Sequence, residues 1–357
     1  MRGMLRLIVV LPLLLVSSGC RSGMTVNTNA RLTLAKPVQG RISTDLPPRR
    51  DSGPLQPMVV DSPPTPTAAA STKIALIDVD GVLVNGNQVG PYSEGENPLA
   101  LFREKLDVAA ADRSIVGVVI RINSPGGGVT VCDMMHHELR RFKERTRLPV
   151  AAYIMEVGAG GGYYLATAAD TIYAHPTALV GGIGVVLNLY NLQDAMGFVN
   201  VAGQQIKAGH NIDMGTSLRP LTPETAAMLQ QMADDFHRRF QRVVVANRLA
   251  VPRDNPAVFD GRVFTAEQAQ SLGLIDQLGY LEDAISEVQS RSGCGPSRVV
   301  MLRRETDPAR TPYAVTANRP PLDKLMPLSI PGLDRPDLPT FMYLWSIEPT
   351  GDRGGAK

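Results

Sequence analysis

The sequence predicts an α/β fold with substantial parallel strand pairing, on three observations. Short β-branched or apolar runs alternate with segments whose apolar residues recur every three or four positions. Two of the runs, residues 116–122 and 150–155, end in glycine-rich stretches that lead straight into helices. The 357 residues are 44% hydrophobic with a formal charge of +2, an ordinary globular balance with no basic excess to attract nucleic acid.

Residues 1–20 precede the folded part as a targeting segment. Arg2 and Arg6 flank the start of an apolar run, 7–16, that is too short to span a bilayer and closes on Ser17-Ser18-Gly19-Cys20. Small residues before a cysteine resemble the bacterial lipobox, so Cys20 is expected to be lipidated and to become the N-terminus. That places the body in the bacterial cell envelope, membrane-anchored and facing the periplasm or the outside. Residues 21–72 are rich in Pro, Ser and Thr without a sustained apolar period, and read as a disordered tether.

The single main domain covers 73–304. Residues 74–79 form a strand ending at Asp80-Gly81, and 98–112 a helix with Leu99, Phe102 and Leu106 on its apolar face. The buried strand 116–122 runs into Ser124-Pro125-Gly126-Gly127-Gly128, read as a turn before a helix marked by Val131, Met135, Leu139 and Phe142. A second unit repeats the plan: strand 150–155, turn 158–162, helix 164–169 and strand 171–174. Thr222-Pro223-Glu224 opens the strongest helix, with a hydroxyl cap, proline at the first position and an early acid. A helix over 280–289 closes the domain. The tail, 305–357, is proline-rich except for Phe341-Met342-Tyr343-Leu344-Trp345, an apolar-aromatic run expected to dock as an edge strand on the body or on a neighbouring subunit.

Cys132 and Cys294 sit far apart in different settings and are expected to stay unpaired. The adjacent His136 and His137 point in different directions on a helix, so no metal site is expected and no cofactor. Tyr163 stands where a dinucleotide fingerprint needs its third glycine.

Gly160, in Val157-Gly158-Ala159-Gly160-Gly161-Gly162-Tyr163-Tyr164, is the most informative position. A strand that turns through glycines into a helix is how hydrolases expose a serine beside backbone N–H donors, and here the exposed position is glycine.

Taken with that turn, 118–128, Ala169-Asp170, Ala174-His175-Pro176, Gly181-Gly182-Ile183-Gly184-Val185, Asp260-Gly261-Arg262-Val263 and Gly273–Gly279 resemble, in order and spacing, the signal peptide peptidase A family (SppA, protease IV). The resemblance implies a crotonase/Clp-protease-like superhelix of ββα units and a Ser–Lys dyad. It also implies a membrane-attached ring of subunits that degrades cleaved signal peptides. It assigns oxyanion or peptide-backbone binding to Gly126, Gly127 and Gly161. Three positions depart from the pattern: the family's nucleophile falls on Gly160, its base on Ile212 and the supporting serine on Gly182. A dyad needs a hydroxyl and a neutral amine, and neither glycine nor isoleucine supplies one. Ser124, Lys207 and His210 are the nearest substitutes in sequence. Lys207 is expected to face away from Ile212 on an extended strand, and Ser124 to bond its own turn.

The expectation is a degenerate SppA-like protein that retains binding of apolar peptide segments or signal-peptide remnants, or assembly as a homo-oligomer or mixed ring with an active relative. Two alternatives stand beside it: an active serine endopeptidase using unusual or partner-supplied residues, and an envelope scaffold.

Overall fold

The structure, a computed structural model, describes residues 53–63, 72–86, 96–201, 205–305, 311–314 and 341–345. The leader with Cys20, most of the tether and most of the tail lie outside the described residues.

The strands, in chain order, are β1 (Gln56–Asp61), β2 (Lys73–Leu83), β3 (Ile115–Gly128), β4 (Val150–Ala159) and β5 (Thr171–Ala174). Then come β6 (Leu179–Gly181), β7 (Val263–Thr265), β8 (Gln277–Leu278), β9 (Arg298–Arg303) and β10 (Met342–Leu344). The helices are α1 (Pro98–Ala111), α2 (Val129–Thr146), α3 (Gly161–Ala166), α4 (Gln193–Phe198), α5 (Pro223–Asn247), α6 (Ala266–Ser271) and α7 (Leu281–Ser292). One sheet runs in the order β1-β9-β2-β3-β4-β5-β8. From β9 through β8 every neighbouring pair is parallel. The α/β architecture thus follows from the alternation of elements along the chain.

Local chemistry sets the helix starts. Asn97 accepts from the N–H groups of Leu99 and Ala100 ahead of Pro98, and Thr222 accepts from that of Thr225 ahead of Pro223. β3 reads as a continuous apolar run because both its faces are covered. Val118, Ile120 and Ile122 pack toward Phe102, Leu106, Met135 and Leu139, while Val119 packs with Leu281, Ala284 and Val288 of α7. Between sheet and helix, Lys105 and Asp78 form a buried ion pair at 2.6 Å.

Three expectations need correction. Gln56–Asp61, inside the stretch read as tether, is a strand paired antiparallel with β9, because Val59 and Val60 continue a β-forming pattern that covers an otherwise open edge. The stretch Ser124 to Gly128, read as a turn, continues β3: register shifts at Asp80/Val82 and Ile122/Ser124 redirect the strand without unpairing it, leaving Leu83 opposite Gly127. Residues 208–215 form turns rather than an extended strand, so strand alternation does not govern Lys207 and Ile212. Among the described residues no helix is long and apolar enough to cross a membrane.

Candidate functional site

The end of β4 brings Gly160, which is buried, against the Tyr343 backbone and the Pro125 carbonyl. Gly160 has φ 52° and ψ −123°, a conformation that strains any residue with a Cβ, and α3 begins directly after it. Its N–H donates to the Gly181 carbonyl at 2.9 Å, which ties the turn to β6. A Cβ on Gly182 would lie 3.1 Å from Gly160 N, so positions 160 and 182 adjoin. A Cβ on Gly126 would lie 2.5 Å from Gly161 N, which brings the glycine end of β3 to the same place.

The donors at this junction are only partly free. Gly126 N–H turns inward to Ser124 Oγ at 3.1 Å, while Gly126 itself stands opposite Leu344 of β10. Ser124 is fully buried, and its hydroxyl donates to the Gly81 carbonyl at 2.6 Å. It bonds within its own stretch, as the sequence reading expects, and also bridges to β2, so its hydroxyl is sealed between strands.

Ile212 is not packed into this site. It sits on a turn with its side chain 73% exposed, largely in solvent instead of against Gly160. Lys207 is committed elsewhere: its ammonium bonds Asp213 at 2.8 Å and the His210 carbonyl at 3.0 Å. That bond is the leading cause holding the Asp213 carboxyl below its usual range.

The cleft itself is filled. β10 pairs antiparallel with the end of β3, placing Met342, Tyr343 and Leu344 opposite Gly128, Gly127 and Gly126. Val129 N–H donates to the Phe341 carbonyl (3.1 Å), and Trp345 N–H to the Pro125 carbonyl (2.9 Å). On the other flank Met342 exchanges two 2.9 Å bonds with Val186. The segment is therefore hydrogen-bonded along both edges.

Tyr343 fills the adjoining pocket. It is completely buried, its ring stacked on Tyr164 (5.2 Å) and tilted against Phe240 (4.6 Å), and its hydroxyl donates to the Phe236 carbonyl at 2.8 Å. Burial pushes its phenol well above the usual range, so the ring enters neutral. Tyr164 is held in turn by Asp133, its hydroxyl donating at 2.5 Å, and Arg239 pairs with the same carboxylate. His136 packs edge-on against Tyr164, and burial lowers its pKa to about 4. Cys132 is free and buried, with its thiol pushed up by desolvation and hence unreactive. Among the described residues no His, Cys, Asp or Glu cluster could hold a metal ion.

The part that Tyr164, Phe236, Phe240 and Val186 play around Tyr343 escaped the sequence reading. The aromatic run 341–345 was the one visible signal, and it does not say what it docks into.

The family model for peptidase family S49 matches residues 142–294, which include positions 160, 182 and 212. A candidate protease of Synechocystis sp. is 31% identical over 227 residues, 64% of this chain and 77% of the relative. This chain belongs to the signal peptide peptidase A family. A candidate signal peptide peptidase SppA of Enterococcus faecium is 26% identical over 238 residues, 67% of this chain and 69% of the relative. Protease 4 of Salmonella typhi is 27% identical over 223 residues, 62% of this chain but only 35% of that relative. The family match spans positions 160, 182 and 212 of the site.

Proposed function

We propose that this SppA-family chain is a catalytically silent member that has kept the family's peptide cleft as a binding site. The observation that carries this reading is the pair at the dyad positions: Gly160 offers no side chain, and Ile212 a solvent-facing hydrocarbon. Nucleophile and base act as a unit, so the absence of both removes the reaction and not merely part of its rate. Nearby polar groups do not replace them, since Ser124 Oγ is sealed between strands and Lys207 is paired with Asp213. The cleft still has the features of strand addition: backbone groups along β3 and at Val186, and a deep aromatic pocket. Its ligand class is an extended apolar peptide, such as a signal-peptide remnant.

In the same reading the fold is crotonase/Clp-protease-like, the chain is exported, Cys20 carries the lipid, and subunits assemble as a homo-oligomer or as a mixed ring with an active relative. The deciding experiment is a peptidase assay on the unmutated protein with apolar peptides, run beside a fluorophosphonate label. No hydrolysis above background and no labelling are expected; robust cleavage would overturn the reading.

A further inference from the structure

The segment in the cleft belongs to this chain. Phe341–Trp345 lies between β3 and Val186 in the manner of an added strand, with bonds alternating from one edge to the other. Alternation also sorts its side chains: Phe341 and Tyr343 share a face, and their rings meet Phe236 and Phe240 of α5. The Tyr343 carbonyl reaches deepest. Its oxygen lies 2.3 Å and its carbon 2.7 Å from where a Cβ on Gly160 would stand, and the oxygen lies 1.8 Å from where one on Gly126 would stand. Two glycines are thus required for the carbonyl to sit there, and one of them occupies the position from which a nucleophile would attack.

We propose that Phe341–Trp345 is a built-in competitive plug of the peptide site. The site's outside ligand is an extended peptide with an aromatic residue at the position of Tyr343 and a second aromatic two residues before it. The proposal rests on the silent-cleft reading and adds its ligand motif and its regulation. Binding from outside requires the tail to leave, so apparent affinity is reduced by the fraction of molecules with an open cleft.

The test uses the full chain and a fluorescein-labelled synthetic peptide of residues 339–347, followed by anisotropy. Tyr343→Ala in the protein should tighten probe binding by about tenfold or more, because the cis competitor loses its anchor. Trp345→Pro, which removes the N–H donor to Pro125 and leaves the aromatic pocket untouched, should act in the same direction. Amide exchange at Val129 and Val186 should be slow in the native chain, fast in both variants, and slow again once probe is added. A probe with alanine in place of its tyrosine should not saturate. Equal affinity of native and variant chains, or binding indifferent to the probe's tyrosine, would overturn the proposal. Mass spectrometry of the recovered probe separates the two readings: cleaved probe sinks the silent-cleft reading, whereas the affinity ratio alone decides the plug.

Discussion

The carbonyl oxygen of Tyr343 and the α-carbon of Gly160 meet so closely that a side chain at position 160 and the docked tail exclude one another. A Cβ there would fall 2.3 Å from that oxygen. Glycine at this point presents no side chain, relieves a conformation that costs an L-residue about 1–3 kcal/mol, and opens the space the tail takes.

Placing a serine at position 160 should therefore disturb the tail before it introduces any chemistry. Gly160→Ser, alone or with Gly182→Ser and Ile212→Lys, is expected to expel Phe341–Trp345 from the cleft. Trp345 is the single tryptophan of the chain, so its fluorescence reports docking without a label. Acrylamide quenching should rise in the variant. The triple change should remain inactive on peptides, since a lysine at an exposed turn lacks the burial that would lower its pKa. Unchanged quenching, or substantial peptidase activity, would contradict this.

Gly127 is constrained by the sheet and not by the tail. A Cβ there would lie 2.0 Å from the Leu83 carbonyl oxygen, inside the β2–β3 pairing. Gly127→Val is expected to lower stability by about 3 kcal/mol, measured by urea denaturation. The loss should persist when Tyr343→Ala is added, because the obstruction is backbone of β2.

The buried pair of Lys105 and Asp78 gives a third expectation. Lys105→Met keeps the length and packing of the side chain but removes the shortest ion pair of Asp78, whose pair with Arg303 is longer, at 3.5 Å. Breaking one side of such a pair costs about 3–5 kcal/mol, and urea unfolding should show it. A loss below about 1 kcal/mol would mean that Arg303 moves in to compensate.

Acid should weaken the aromatic pocket through His136. Its folded pKa, about 4, lies below the ordinary 6.5, chiefly because of burial, with Arg140 adding to the effect. A depressed value means the neutral ring is favoured in the folded state, so its contribution is present above pH 6.5 and is lost as pH falls toward 4. The full loss is about 3 kcal/mol. Asp80 works the other way: burial raises it to about 6, so its contribution is present at low pH and is lost as pH rises through 6. The clean measurement is the stability difference between the native chain and His136→Phe across pH 7 to 4, in which the Asp80 contribution cancels. That difference should move in favour of the variant on acidification; a flat difference would refute the assignment.

Local patterns determined much of this protein. Periodicity and caps placed strand, helix and turn through most of 73–304, because apolar spacing and hydroxyl or proline starts act over a few residues and need no partner. The identities of residues 160, 182 and 212, on which the silent-cleft proposal rests, were equally legible without coordinates. What lay beyond the sequence were pairings between distant segments. Residues 56–61 became a strand only because β9 offered an edge, and Ser124–Gly128 stayed in the sheet only because a bulge carried it past Leu83. Tyr343 acquired its meaning from Gly126, Gly160 and the rings of α3 and α5, more than a hundred residues away for the most part. A hydrogen-bonded slot and an aromatic pocket are properties of surfaces assembled from separate elements, so tertiary structure alone decided that the tail fills the cleft.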